Sequence, residues 1–251
     1  MAIRLCGFES HFGYPFEVRS ESQSAPFLYA AGWGGRGWQP GEGSAGIILR
    51  CFKIRILMIV LIDNGHGVDT PGKQSPDGRL REWAWTRAMA RSIVDGLRET
   101  GIDARTLVPE EYDLPLLQRV NRVNALCRLH GAANVVLVSV HNNAAGADGC
   151  WHSARGFLPL VAPNASRASR RLASILYAGA RSAGLSGNRA PLPAGYVEQN
   201  LYICRHTLCP AVLTENLFQD NRDDVDFLLS DEGRRAIRDL HINAIKEYFQ
   251  M

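Results

Sequence analysis

Residues Met58–Gly67, MIVLIDNGHG, are the stretch on which the fold turns. Met58 to Ile62 form an unbroken apolar run. A run this short, with no alternation, reads as a strand buried on both faces, as in parallel sheets. The run ends abruptly in Asp63-Asn64-Gly65-His66-Gly67, which sets a histidine between two glycines at the carboxyl end of the strand. Gly65 is expected to supply the unusual backbone dihedrals of a sharp bend. His66 is then either an incidental turn residue or a ligand, and only partners elsewhere in the chain distinguish the two.

Downstream of Met58, strand and helix signals alternate. Arg79–Thr100 reads as a helix with Trp83, Ala90, Val94 and Leu97 at helical spacing and Gly101 closing it. IDARTLVP (102–109) is a second strand. Leu114–His130 is a second helix, with Leu117, Val120 and Cys127 inward and Gly131 at its end. ANVVLVSVH (133–141) is a third buried strand, and GCWHSA (149–154) a short one suited to an edge. A helix over Ala165–Gly184 follows, then strands NLYIC (200–204) and AVLTENLF (211–218). Helices over Asp223–Leu229 and Asp231–Gln250 complete the order. This alternation predicts an α/β fold, a mixed and mostly parallel central sheet with helices on both faces in three αβα layers. Sites in such folds gather beyond the carboxyl ends of the strands.

Residues 1–57 read differently. AAGWGGRGWQPGEGSAG is Gly-rich and carries no period of strand or helix. Such a composition buries little apolar area, so an extension lacking stable structure is expected. Met58 opening a good first strand suggests a second explanation, a natural start at Met58 with an artefactual segment before it. N-terminal sequencing of protein made from its native gene tests this. The chain therefore divides into a 1–57 extension and a 58–251 domain.

Bulk composition narrows the function classes. A net charge of +3 is too small to argue for nucleic acid or an anionic membrane. AGIILRCFKIRILMIVLI carries Arg50, Lys53 and Arg55, which argues against a membrane span. The first 20 residues lack the unbroken apolar core of a signal peptide. None of the six cysteines forms a CxxC pair, and they read as small buried hydrophobes. A monomer is the expectation.

Chemistry collects at three strand ends. The first carries His66, the third (VVLVSVHNNA) carries His141, and the last (PAVLTENLF) carries Glu215. Burying a charge costs several kcal/mol unless it is paired or metal-bound. One such group could be a satisfied core residue, but three on one sheet edge point to a site. Glu82 joins them from DGRLREWAW. An acid in a first turn is ordinarily a helix-dipole partner, but this helix follows the His66 loop and must pack back on the sheet. Its start therefore lies near His66 and His141. Two histidines and a carboxylate make a three-ligand zinc site with a position left for water. Glu215 is then free to serve as base toward that water and as acid toward a leaving nitrogen.

LIDNGHG, LREW, VSVHNNA and PAVLTENLFQDNRDDVDFLL resemble, in that order, the motifs of the zinc-dependent N-acetylmuramoyl-L-alanine amidases of the amidase-3 type. Members show a strand ending in Asp-Pro-Gly-His-Gly, a helix-borne Glu, a Ser-x-His-x-Asn-Ala segment and a late Pro-Ala-x-Leu-x-Glu. Each motif alone is weak, but four in order on the right elements are specific. The resemblance covers Met58 to Gln250. It implies one zinc ion held by His66, Glu82 and His141, with Glu215 as the catalytic carboxylate. The implied substrate is peptidoglycan, cut at the amide between N-acetylmuramic acid and the stem peptide's L-alanine. Arg119 matches a family arginine of structural or supporting role. Asn64 replaces the usual Pro, and Asn142-Asn143 replaces the commoner Ala-Asn, without loss of a ligand. The family's phage-type lysins are made in the cytoplasm and reach the wall after release, the setting expected here, with non-standard export as the other route.

Asn143 and Arg155 are candidate substrate-binding residues, the latter with His152 in CWHSARG. His130, His206 and His241 read as surface or helix-end residues. The Asp220–Asp226 cluster lacks the glycine and terminal Glu of a calcium loop and reads as a helix start. Two competing functions stay open: a zinc carboxypeptidase or endopeptidase on stem peptides, and a non-catalytic wall-binding module.

Overall fold

The computed structural model describes residues 58–250, so the reading of residues 1–57 lies outside the described residues. Six strands form one sheet: β1 (Ile59–Asn64), β2 (Asp103–Thr106), β3 (Val135–Asn143), β4 (Leu158–Val161), β5 (Val197–Glu198) and β6 (Ala211–Phe218), ordered β2-β1-β3-β6-β4-β5. The pairs β1/β2, β1/β3, β3/β6 and β4/β5 are parallel, and β4 runs antiparallel to β6. The mixed, mostly parallel sheet follows the expected α/β class.

Strand alternation divides the core in two. Val60, Ile62, Val136, Val138 and Val212 point to one face, covered by α1 (Glu82–Glu99), α3 (Arg167–Ser182), α5 (Arg222–Leu229) and α6 (Asp231–Tyr248). Ile59, Leu61, Val135, Leu137 and Leu213 point to the other, covered by α2 (Leu116–His130) and the short α4 (Tyr202–His206). Both faces are covered, which is why β1 and β3 read as continuous apolar runs rather than alternating ones.

Several expectations are corrected. GCWHSA forms no strand; the strand antiparallel to β6 begins at Leu158, after a loop. NLYIC is largely helical, as α4, because the short apolar run Leu201–Cys204 suits either state and here Ile203 and Cys204 face the α2 layer. Leu117 is exposed, since it lies in the first turn of α2 and Val120, Val123 and Cys127 make the contact. Trp83 is half-buried under the Arg87 guanidinium, while Trp85 enters the core and donates from Nε1 to the Leu228 carbonyl. Cys127, Cys204 and Cys209 are buried as expected, and Cys150 is exposed.

His241 is the largest correction among the histidines. It is fully buried on the α6 stripe Ile237, Leu240, His241, Ala244, Ile245, the i, i+3, i+4, i+7, i+8 pattern of a core-facing helix. Its Nδ1 donates to the Ile237 carbonyl at 2.8 Å and its Nε2 lies 3.0 Å from the Thr214 hydroxyl. Burial holds this imidazole down to about 4, below the ordinary 6.5. The unfolded ring therefore takes up a proton that the folded ring refuses. The contribution to stability is full above pH 6.5 and is lost as pH falls toward 4, a difference of roughly 3 kcal/mol. We expect the unfolding free energy to fall less steeply between pH 6.5 and 4.5 in His241→Asn, which keeps a donor for Ile237, than in the unaltered chain. Equal slopes in denaturant titrations would contradict this.

Candidate active site

The carboxyl ends of β1, β3 and β6 lie side by side, and His141 and Glu215 are direct register partners. The first residue of α1 completes the group. The Glu82 amide donates to the Lys73 carbonyl, which seats the helix start over the strand ends. Glu82 Oε1 lies 3.4 Å from His66 Nε2 and 3.1 Å from His141 Nδ1, and the three side chains each place a donor atom within 4.8 Å of the others. The two imidazoles meet edge to face, with centroids 5.1 Å apart. His66, Glu82 and His141, taken from sequence as one set, are thus brought together.

The glycines of the opening stretch work differently from expectation. His66 itself takes the left-handed conformation, at φ 61°, while Gly65 and Gly67 have no positive φ. Glycine is needed at both places for space. A Cβ on Gly65 would come 2.4 Å from the His141 ring, and one on Gly67 would come 1.9 Å from the Asp113 amide nitrogen. Gly65 therefore lets the second histidine lie against the first strand's end.

The electrostatics hold a buried anion between two imidazoles. Glu82 is 1% exposed. Burial works to raise its carboxyl, but the bonds from His141 and His66 and their charges outweigh it, so the group stays well below the usual carboxylate range. Burial likewise opposes charge on His141, and the bond to Glu82 outweighs it, so that ring is raised. Glu82 Oε2 is buried and, among the described residues, has no hydrogen-bond partner. A buried carboxylate with one orphaned oxygen, faced by two imidazole nitrogens, is the oxygen-and-nitrogen donor set suited to zinc.

Glu215 stands beside this group. Its Oε2 is shut off from solvent and, among the described residues, has no hydrogen-bond partner. Burial pushes its carboxyl up to about 7; the Glu82 charge adds to this, and His141 and Lys73 oppose it. A cation at the triad would add a further charge favouring the carboxylate.

The surrounding shell holds main-chain groups. The Asn142 amide donates to Glu82 Oε1 at 3.0 Å, and the Asn142 side chain donates to the Asn216 carbonyl at 2.8 Å. Asn216 Nδ2 donates to the His141 carbonyl at 2.9 Å, across the register shift between His141 and Asn143. Arg119, read as supporting, is 2% exposed and holds Asp63 at 2.7 Å and the Asn64 carbonyl at 2.6 Å. Asp63 also accepts from Ser139 at 2.5 Å, which accounts for an acid at the end of a buried strand. Arg87 and Asn216 were not singled out from sequence. Arg87 sits on the apolar stripe Trp83–Ala90–Val94, and a cation there was the available signal.

Asn143 ends β3 beside His141, with Oδ1 accepting from the Ala144 amide. Arg155 is engaged by α5 instead: it pairs with Asp223 at 2.9 Å and Asp224 at 3.3 Å, in a hollow of about 570 Å³ lined also by Leu217 and Phe227. His152 pairs with Asp148 in the preceding loop. The acidic cluster is a helix start, where Asn221 caps the Asp224 amide. A second hollow of about 350 Å³ lies between the Pro71–Pro76 loop, the Ala144–Cys150 loop and Gln219-Asp220.

Residues 60–247 match the Amidase_3 family, N-acetylmuramoyl-L-alanine amidase. The chain belongs to this family. The endolysin of Bacillus phage SPP1 is 26% identical over 194 residues, spanning 77% of this chain and 66% of that protein. The YqiI protein of Bacillus subtilis is 27% identical over 190 residues, spanning 76% and 84%. Among solved structures, the N-acetylmuramoyl-L-alanine amidase of Clostridium difficile 630 superposes with a TM-score of 0.66 at 21% identity, over 78% of this chain and 98% of that one. That likeness shows a shared fold. Among the described residues, no helix is long and apolar enough to cross a membrane.

Proposed function

We propose that this amidase hydrolyses the amide between N-acetylmuramic acid and L-alanine in peptidoglycan, using a zinc site made of His66, Glu82 and His141 and a proton carrier at Glu215. The observation that carries the reading is the convergence of His66 Nε2, His141 Nδ1 and Glu82 Oε1 next to an unpartnered Glu215 Oε2 at the strand ends. Bound zinc supplies Lewis acidity toward a carbonyl and makes water easier to deprotonate near neutral pH.

The chain's own residues do the rest. His66 Nε2 and His141 Nδ1 would hold the ion through nitrogen lone pairs, and Glu82, kept ionised, would offer a negative oxygen. Asn142 and Asn216 hold the β3 bulge that aims His141. The Glu215 carboxylate takes the proton of the attacking water and returns it to the leaving L-alanine nitrogen, which departs as an amine. A carboxyl raised by burial suits both transfers better than an exposed one. Asn143, at the end of β3, is the substrate-side amide in this reading, whereas Arg155 serves α5. The endolysin relative supports a phage-type lysin acting on the wall after release.

Digestion of purified peptidoglycan, followed by mass spectrometry, tests the bond. We expect intact stem peptides with a free L-alanine amine, separated from glycan. Activity should be lost with 1,10-phenanthroline and restored by zinc. Shortened peptides still attached to glycan would mean a carboxypeptidase or endopeptidase, and zinc-independent wall binding without cleavage would mean a binding module.

A further inference from the structure

We propose that Arg87 is a positioning residue for His66: its guanidinium clamps the His66 main-chain carbonyl and, with Arg119 from the opposite helix layer, keeps the left-handed backbone that turns the imidazole toward Glu82. The inference rests on the zinc reading of His66. A histidine at φ 61° occupies the left-handed region that L-residues other than glycine adopt only at a cost. It persists only where the surroundings over-determine it. Arg87 Nη1 donates to the His66 carbonyl at 2.8 Å, and Arg119 Nη2 reaches the same oxygen at 3.4 Å. Gly67 is wedged against the Asp113 backbone, so the turn has no room to relax in that direction.

Arg87 is spent in an unusual way. It is 4% exposed, yet among the described residues it has no carboxylate in ion-pair contact. Its partners are main-chain carbonyls: His66, Trp83 at 3.1 Å, Glu110 at 2.8 and 3.0 Å, and Tyr112 at 3.4 Å. Burial and the Arg119 charge oppose this cation, the more distant Asp113 and Asp63 charges favour it, and its direct contacts are all neutral carbonyls. The return is geometric. The planar fork joins the α1 helix, which carries Glu82, to the loop that carries His66, so two ligands share one brace. In other metal sites such braces contribute by fixing ligand orientation before the metal arrives.

The test uses the full chain, stripped of metal and titrated with zinc against a chromophoric chelator. We expect Arg87→Met to bind zinc roughly 10–100-fold more weakly than the unaltered chain. Arg87→Lys keeps a charge but loses the fork, and should lie between, weakened by at least about three-fold. Denaturant midpoints of the metal-free proteins separate this from plain scaffolding, which would lower the midpoint and leave zinc affinity alone. A folded Arg87→Met that binds zinc within about two-fold of the unaltered chain overturns the inference. Should that variant not fold, the same result in Arg87→Lys does so. An unaltered chain that takes up no zinc overturns the metal reading itself, and the inference with it.

Discussion

Glu215→Gln should bind zinc stoichiometrically and turn over peptidoglycan roughly 10²–10⁴-fold more slowly than the unaltered chain, the range over which a positioned proton carrier contributes. Glutamine matches the side chain in shape and keeps one carboxamide oxygen where Oε2 or Oε1 stood, but it cannot accept the proton of an attacking water. Glu215 is not one of the three converging ligand groups, so metal content should be unchanged. Its position explains why the loss should fall on turnover. It is paired with His141 in the β3/β6 register and with Leu158 across the β4/β6 pairing, so its backbone is held by strands on both sides and a one-atom change leaves the site's frame intact. The measurements are metal content and initial rate on purified wall. Near-normal turnover in the folded variant would remove Glu215 from the role assigned to it.

His66→Ala and His141→Ala should each lose zinc. Four-ligand zinc sites bind with roughly 10–16 kcal/mol, so one ligand accounts for about 3 kcal/mol or more. That corresponds to at least about 10²-fold in affinity. The metal-free variants carry a second consequence. Glu82 is 1% exposed, and its ionised state depends on both imidazoles. Removing either ring leaves a buried carboxylate with one partner fewer, so its carboxyl should move up and the fold should lose stability at neutral pH. Elemental analysis after dialysis and denaturant titration read the two effects separately. Stoichiometric zinc retained by either alanine variant would contradict the ligand set.

The legible part of the sequence was the part governed by local rules. Ile59–Ile62 and Val135–Val138 are apolar without interruption, and each lies in a strand flanked by sheet neighbours with helices on both faces. His66, His141 and Glu215 stood out because a polar group at the end of such a run needs a reason, and Glu82 because its helix had to start beside them. Where two states fit one pattern, the reading failed. Within NLYIC only Leu201–Cys204 are apolar, a run short enough for a helix or a strand to bury, and GCWHSA forms a loop.

His241 and Arg87 lay on legible helix stripes, yet their burial depended on groups more than 20 residues away, Thr214 for one and His66 and Glu110 for the other. The same limit applies to MIVLIDNGHG. By itself the sequence determined a buried strand that ends in a histidine, because apolar continuity and an abrupt change of polarity are written in consecutive residues. Only the tertiary structure decided why glycines flank that histidine: the His141 ring fills the space where a Gly65 side chain would stand, and Asp113 fills that of Gly67. It also decided that His66, not a glycine, carries the left-handed backbone, because carbonyl clamps from two helices make that conformation affordable. Such constraints are excluded volume and hydrogen bonding between residues far apart in the chain, and no local pattern encodes them.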